Sequence, residues 1–125
     1  VGFREVMEGL SKNPKKGALV FAVGKDIVGN AISYDLSKGP HYLIAGATGS
    51  GKSVCLNSLI ISLITKYGPD ELRFVIVDPK RVDLEPFKSI PHMMFGEIIE
   101  DVPTTNSMLT WAVEEMERRY NVFRL

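Results

Sequence analysis

The chain has 125 residues, with 15 Lys and Arg against 15 Asp and Glu, 45% hydrophobic and 24% charged; this describes one globular unit at most and excludes collagen, disorder and coiled coil. The longest apolar run, Leu59 to Leu63, is interrupted by Ser62 and falls far short of the roughly 20 residues a membrane span needs, and no signal peptide is expected. A formal net charge of zero gives no whole-surface field to attract a phosphate polymer, and the single Cys55 has no internal disulfide partner, which fits a reducing interior.

Phe3, Val6, Met7 and Leu10 recur at helical spacing, so a short amphipathic helix is expected over 3–10, ending before the polar turn Asn13-Pro14-Lys15-Lys16-Gly17. The apolar run Ala18 to Val23 and the alternating run Ala31 to Leu36, separated by Gly29-Asn30, predict a β-hairpin with one buried face. After Lys38-Gly39-Pro40, the consecutive apolar residues Tyr42-Leu43-Ile44-Ala45 predict a strand covered on both faces in a parallel sheet. Residues 52–67 are apolar on almost every side and stop at Gly68-Pro69, as a largely buried helix would. Phe74-Val75-Ile76-Val77 then predicts a second strand ending at Asp78-Pro79, so that 42–78 spell one right-handed strand, helix, strand crossover. Pro86 and Pro91 break up the stretch that follows, with a short strand expected near Met94 to Ile99. Pro103 suits a helix first turn, and Leu109, Ala112, Val113, Met116, Tyr120 and Phe123 follow at helical spacing.

Gly46-Ala47-Thr48-Gly49-Ser50-Gly51-Lys52-Ser53 matches the phosphate-binding loop G-x-x-x-x-G-K-[ST] and sits where that loop belongs, between a predicted strand and a predicted helix. Glycines at 46, 49 and 51 let successive N–H groups converge on phosphate oxygens. The helix N-terminus adds the amides of Lys52, Ser53 and Val54, facing the α- and β-phosphates. Lys52 supplies a mobile positive charge to the β- and γ-phosphates and is the catalytic candidate, and the Ser53 hydroxyl is a hard ligand suited to Mg²⁺. The ligand expected is a magnesium nucleoside triphosphate. Asp78, at the end of four apolar residues, has the form of a Walker B acid, but Pro79 and Lys80 follow it and no neighbouring acid supplies a water-activating base.

The remaining chemical side chains favour plainer readings. Arg118 and Arg119 could serve as arginine fingers, but Glu114 and Glu115 four residues earlier explain them as two helix-surface ion pairs. Cys55 in the first turn after the loop is expected to be a packed thiol. His41 and His92 lack partners at metal-ligand spacing. Trp111 and Met93, Met94, Met108 and Met116 suit core or subunit contacts better than a base-stacking platform. Lys12, Lys15 and Lys16 form a small solvated basic turn.

Several segments taken together, Phe3 to Val6, Val23 to Ile27, Pro40 to Gly46, Thr48 to Leu56, Val77 to Lys80, Ile90 to His92 and Trp111 to Tyr120, closely resemble the FtsK/SpoIIIE DNA translocases of bacteria in order and spacing. The resemblance implies an α/β fold: a RecA-like P-loop NTPase core, mostly parallel sheet with helices on both faces, preceded by a short helix and β-hairpin. Residues 1–40 would be the helix and hairpin portion and 41–125 the first part of the core. It also implies ATP and Mg²⁺ as cofactors, with Gly46, Thr48, Gly49, Ser50, Gly51, Lys52, Ser53 and Val54 around the nucleotide. The implied partners are double-stranded DNA and five further copies in a hexameric ring. The role would be chromosome segregation at division or sporulation, on the cytoplasmic face of the bacterial membrane, reached through an N-terminal region outside this chain. The family's Walker B is a later strand ending in Asp-Glu, so Asp78 would belong to a different strand, and residues 1–125 alone are expected to be inactive. The alternatives are a secretion or conjugation ATPase moving protein or single-stranded DNA, a small-molecule kinase, and a nucleotide switch. The last is disfavoured because no Asn-Lys-x-Asp segment is present.

Overall fold

The structure, a computed structural model, describes residues 2–10, 15–39 and 41–124. Lys12, and Asn13 and Pro14 of the polar turn expected at 13–17, together with Pro40, lie outside the described residues. The chain divides into two compact units, Val1–Leu72 and Arg73–Leu125.

In the first unit, helix α1 (Phe3–Glu8) is followed by strands β1 (Val20–Lys25) and β2 (Ala31–Asp35) and then by helix α2 (Lys52–Lys66). The expected short helix and hairpin are therefore present. α1 turns its apolar side onto the hairpin: Val6, Leu10 and Ala22 form a buried cluster, with Met7 and Ala31 packed against it. The approach is close at the helix end, because a Cβ on Gly9 would lie 2.7 Å from that of Ala31. The hairpin turn is held by the Asp26 carboxylate, which accepts the N–H of Val28 at 2.9 Å and of Asn30 at 2.8 Å. Its hydrogen bonds, first among them the one from the Asn30 side chain, keep the Asp26 carboxyl below the ordinary carboxylate range. β1 and β2 pair antiparallel with one irregularity: Ala22 faces Ser33 and Gly24 faces Ile32, so the ladder skips Val23.

In such a ladder alternate N–H groups of a strand point away from its partner. On β1 these belong to Val20 and Ala22, and both find hydroxyls. The N–H of Val20 donates to the hydroxyl of Tyr67 at 2.8 Å, just past α2, and that of Ala22 donates to the Ser62 Oγ at 3.1 Å. Ser62 is fully buried and donates its own O–H to the carbonyl of Ser58, at 2.6 Å. Helix side chains thus stand where a third strand would otherwise pair.

The structure departs from the expected buried sheet at two points in this unit. Residues 42–45 form no strand, and Leu43 is 93% exposed. An apolar run becomes a strand only when another backbone takes its hydrogen bonds, and none of the described residues does so. α2 is not buried all round either. Ile60, Ser62 and Leu63 are buried, whereas Val54 and Ile61 are exposed, since only the side that meets β1 has a partner. No parallel sheet with helices on both faces forms among the described residues; the only named sheet is the hairpin.

In the second unit, 74–78 runs parallel to 92–99 through two isolated bridges, Phe74 with Met93 and Val77 with Ile99. The bridges are three positions apart on one side and six on the other, so the ladder is interrupted by the loop around Gly96. The two expected strands are thus reduced to these contacts. Ile76, Leu84, Phe87, Met93, Ile98 and Ile99 supply the unit's apolar interior. Helix α3 (Val102–Phe123) begins at Asp101, whose carboxylate accepts the N–H of Thr104 at 2.9 Å. This cap supplies an acceptor for one of the four N–H groups that a helix start leaves unpaired.

Because Ser62 is buried, Ser62→Ala leaves the Ala22 N–H without its acceptor and should lower unfolding stability by about 1–3 kcal/mol. Thr65→Ala, which removes an exposed hydroxyl on the same helix, should stay within about 0.5 kcal/mol. Urea unfolding of the two variants side by side checks this; equal midpoints would refute it.

Candidate functional site

The loop 46–51 and the start of α2 form the candidate anion cradle, whose shape is set by the backbone. Gly49 and Gly51 have φ of +80° and +91°, left-handed conformations that cost other residues about 1–2 kcal/mol. A Cβ at either position would meet nothing within 4 Å, so glycine is required there by backbone conformation and not by crowding. Gly46 shows the opposite constraint, since a Cβ there would lie 2.3 Å from the Ser50 Oγ. The loop closes on itself through the Ser50 N–H to the Ala47 carbonyl at 3.0 Å. The first intrahelical bond of α2 joins the Cys55 N–H to the Gly51 carbonyl at 2.8 Å. The amides of Lys52, Ser53 and Val54 therefore open the helix at the positive end of its dipole.

The Lys52 side chain folds back over this loop, its Nζ 3.3 Å from the Gly46 carbonyl. Ala47, Thr48, Ser50 and Lys52 are all exposed, and Ser53 is half-buried. The cradle thus carries one mobile cation, a ring of backbone donors and a hydroxyl, in open reach of solvent. These groups fit the phosphates of a nucleotide, and the Ser53 hydroxyl suits a hard cation bridging them. The structure places the loop, Lys52, Ser53 and Val54 side by side at the start of α2.

Asp78 has a structural occupation of its own. It is 9% exposed, and its carboxylate accepts the N–H groups of Lys80 at 3.2 Å, Val82 at 3.3 Å and Leu84 at 3.4 Å. These bonds hold the turn in which Arg81 takes a φ of +56° and reaches Glu100, with Nε 2.7 Å from the carboxylate. Asp78 belongs to the second unit and is a turn anchor there.

The residues set aside in the sequence fall out differently in detail. Cys55 is exposed, not packed, because it lies on the side of α2 that meets no partner. Glu115 serves both arginines: Arg118 binds it through two nitrogens at 2.6 and 2.8 Å, and Arg119 through one at 2.7 Å. The expected pairing of Glu114 with Arg118 gives way because Glu115 stands three residues before one arginine and four before the other, both neighbouring positions on a helix. His92 and Met93 are buried, His92 beside the Phe74 ring, while His41 is exposed. Trp111 meets Phe95 edge to face, ring centroids 5.1 Å apart, and Met94 and Met116 are exposed.

One positioning residue is not apparent from composition. Tyr42, four residues before the loop, lays its ring edge against Phe21 at 6.1 Å and donates its hydroxyl to the Asp35 carbonyl at 3.2 Å. Gly39 makes room for it, since a Cβ there would come within 2.5 Å of the Tyr42 hydroxyl. A glycine three residues before an aromatic residue is the available sequence signal.

The family model for the FtsK/SpoIIIE family matches residues 3–125. The chain belongs to the FtsK/SpoIIIE family. It is 54% identical to the DNA translocase FtsK of Clostridium tetani over 112 residues, which are 90% of this chain and 15% of that protein. It is 46% identical to the DNA translocase SftA of Bacillus subtilis over 123 residues, 98% of this chain and 13% of that protein. The same identity over 123 residues holds for FtsK of Caldanaerobacter subterraneus, 98% of this chain and 17% of that one. The chain thus spans less than a fifth of the length of these relatives. Family membership implies a P-loop NTPase fold, and translocases of this family are ATPases.

The shared carboxylate gives a direct check on the arginines. Hydrogen bonds from Arg118, then Arg119, hold the Glu115 carboxyl down from 4.5 to about 2. A depressed carboxyl stabilises the folded state above its ordinary value and loses that contribution as pH falls toward about 2. Carbon-13 titration should therefore show Glu115 still ionised at pH 3, and Arg118→Ala should raise its midpoint toward 4.5. An unchanged midpoint in that variant would contradict the shared-carboxylate arrangement.

Proposed function

We propose that this chain forms the nucleotide-binding part of an ATP-driven motor that moves double-stranded DNA during chromosome segregation, at division or sporulation. The observation that carries the reading is the cradle at 46–53, in which positive φ at Gly49 and Gly51 turns the backbone toward an anion while Lys52 stands over it. The names of the relatives, DNA translocases across several bacteria, support DNA as the partner.

In this reading the backbone amides of the loop and the first turn of α2 bind and orient the phosphate chain. Lys52 releases the Gly46 carbonyl and takes up the β- and γ-phosphate oxygens, where its charge offsets the negative charge that develops on the transferred group. The Ser53 hydroxyl would hold Mg²⁺, which supplies charge neutralisation between the β- and γ-phosphates. The groups that orient the attacking water and complete the transition state would lie outside residues 1–125, with Asp78 committed to its turn. The finer architecture follows the same reading: a RecA-like core, six copies in a ring around duplex, and the motor on the cytoplasmic side of the bacterial membrane, with anchoring by a region outside this chain.

In the full-length protein, Lys52→Ala should reduce ATP hydrolysis and duplex translocation by several orders of magnitude while leaving the circular dichroism spectrum unchanged. Normal turnover in that variant would overturn the assignment. Residues 1–125 alone should bind nucleotide weakly and hydrolyse none, and robust turnover by them would be equally contrary.

A further inference from the structure

In the second unit, the first three turns of α3 and the segment 95–99 border a cavity of about 360 Å³. Its walls are apolar, Phe95 and Ile99 from the segment, Met108 and Trp111 from the helix. The Phe95 and Trp111 rings stand at 79° to one another with centroids 5.1 Å apart, so two π systems border one space. Three polar side chains complete the lining, Glu97, Thr104 and Ser107. The Glu97 carboxylate is exposed and forms no ion pair with any of the described residues. Both hydroxyl protons are already used: Ser107 donates to the Pro103 carbonyl at 3.2 Å, and Thr104 to the Asp101 carboxylate. Their oxygens keep only lone pairs to offer. Every polar side chain of the lining is therefore an acceptor, one of them anionic, and no Lys or Arg lies among them. The positive end of α3 is offset by Asp101, whose carboxylate caps the helix. Arg81, whose charge acts on Asp101, is itself paired with Glu100.

We propose that this cavity receives the guanidinium of an arginine side chain presented by a partner polypeptide. Aromatic ring faces carry the negative part of a quadrupole and attract a cation, and the Glu97 carboxylate gives that cation a counter-charge. A lining that holds only acceptors calls for a ligand that holds only donors. Guanidinium has five N–H groups and no acceptor, and it is flat, so it can lie against a ring while its in-plane N–H groups reach the carboxylate and hydroxyl oxygens. A lysine ammonium has three donors around a compact, more strongly hydrated charge and uses the ring faces less well. The apolar walls suit the methylene stem behind the charge. A neutral aromatic ligand would fill the same walls and leave Glu97 without a partner. Free arginine would bring its own α-carboxylate to a lining with no cation to meet it. An arginine whose α-groups are locked in peptide bonds avoids that conflict.

Met108 lines the cavity, so its methyl group reports on occupancy. In the full-length protein carrying carbon-13 methionine methyls, the Met108 signal is identified by its loss in Met108→Leu. Titration with Nα-acetyl-arginine amide should shift that signal saturably. The citrulline analogue, close in shape and without the charge, should leave it in place. Nα-acetyl-lysine amide and free arginine should both bind more weakly than the arginine amide. Glu97→Gln keeps the size of an exposed side chain, so its unfolding midpoint should match that of the wild type while its affinity for the arginine amide falls about tenfold or more. No saturable shift with the arginine amide, an equal shift with the citrulline analogue, or wild-type affinity in Glu97→Gln would overturn the site. Lysine amide binding as well as arginine amide would contradict the preference for guanidinium, and free arginine binding as well would contradict a polypeptide partner.

Discussion

The hydroxyl of Ser62 joins the helix that follows the glycine-rich loop to the strand in front of it, and the packing of the first unit is organised around that junction. β1 uses one edge to pair with β2 and turns the other toward α2, where Ser62 and Tyr67 accept its outward N–H groups. Unpaired strand edges are costly when buried and prone to foreign pairing when exposed. Two hydroxyls, one in the last turns of α2 and one just past it, remove both problems and fix the C-terminal part of the helix. The N-terminus of α2 is then held at a set distance from the hairpin, and the cradle is presented on a rigid support and not on a free helix. Tyr42 adds a second tie, from the segment that enters the loop back to Phe21 and Asp35.

This arrangement separates two tasks. Binding a phosphate chain needs converging amides, a helix end and one mobile cation, and all of these are drawn from residues 46–54. Transferring a phosphoryl group needs a positioned water and additional charge at the transition state. Asp78, the one acid at the end of an apolar run, is instead occupied in holding the turn from Lys80 to Leu84. Neutral net charge is compatible with a DNA motor in the same way, because contacts to duplex can be confined to local loops while the bulk of the surface carries no field.

Much of the site was legible in the sequence because its chemistry is local. The glycines, Lys52 and Ser53 act through backbone conformation and position in a single turn, and a local pattern reports these directly. The hairpin and α3 were legible for the same reason, since turn residues and a helical period are properties of short windows. The strand expected at 42–45 was not realised, because strand formation depends on a partner that periodicity does not reveal. The burial of α2 was overstated because apolar residues on every side state what a helix could bury, while only the β1 side has something to bury it against. Cys55 followed that error. The role of Ser62 was hidden by its chemistry: a serine inside an apolar run reads as an interruption, although it is the most buried polar contact of the unit. Glu115 takes both arginines, where spacing assigns it one, because carboxylates choose among nearby donors by geometry that spacing alone does not rank.

The central claim is that the energy of ATP bound at 46–53 is coupled to duplex DNA. Its most direct test is the steady-state ATPase rate of the full-length protein with and without polymer. Linear double-stranded DNA should stimulate hydrolysis strongly, with single-stranded DNA of the same length and concentration giving little effect. A rate indifferent to duplex, or stimulated equally by single strands or by a protein substrate, would contradict the account.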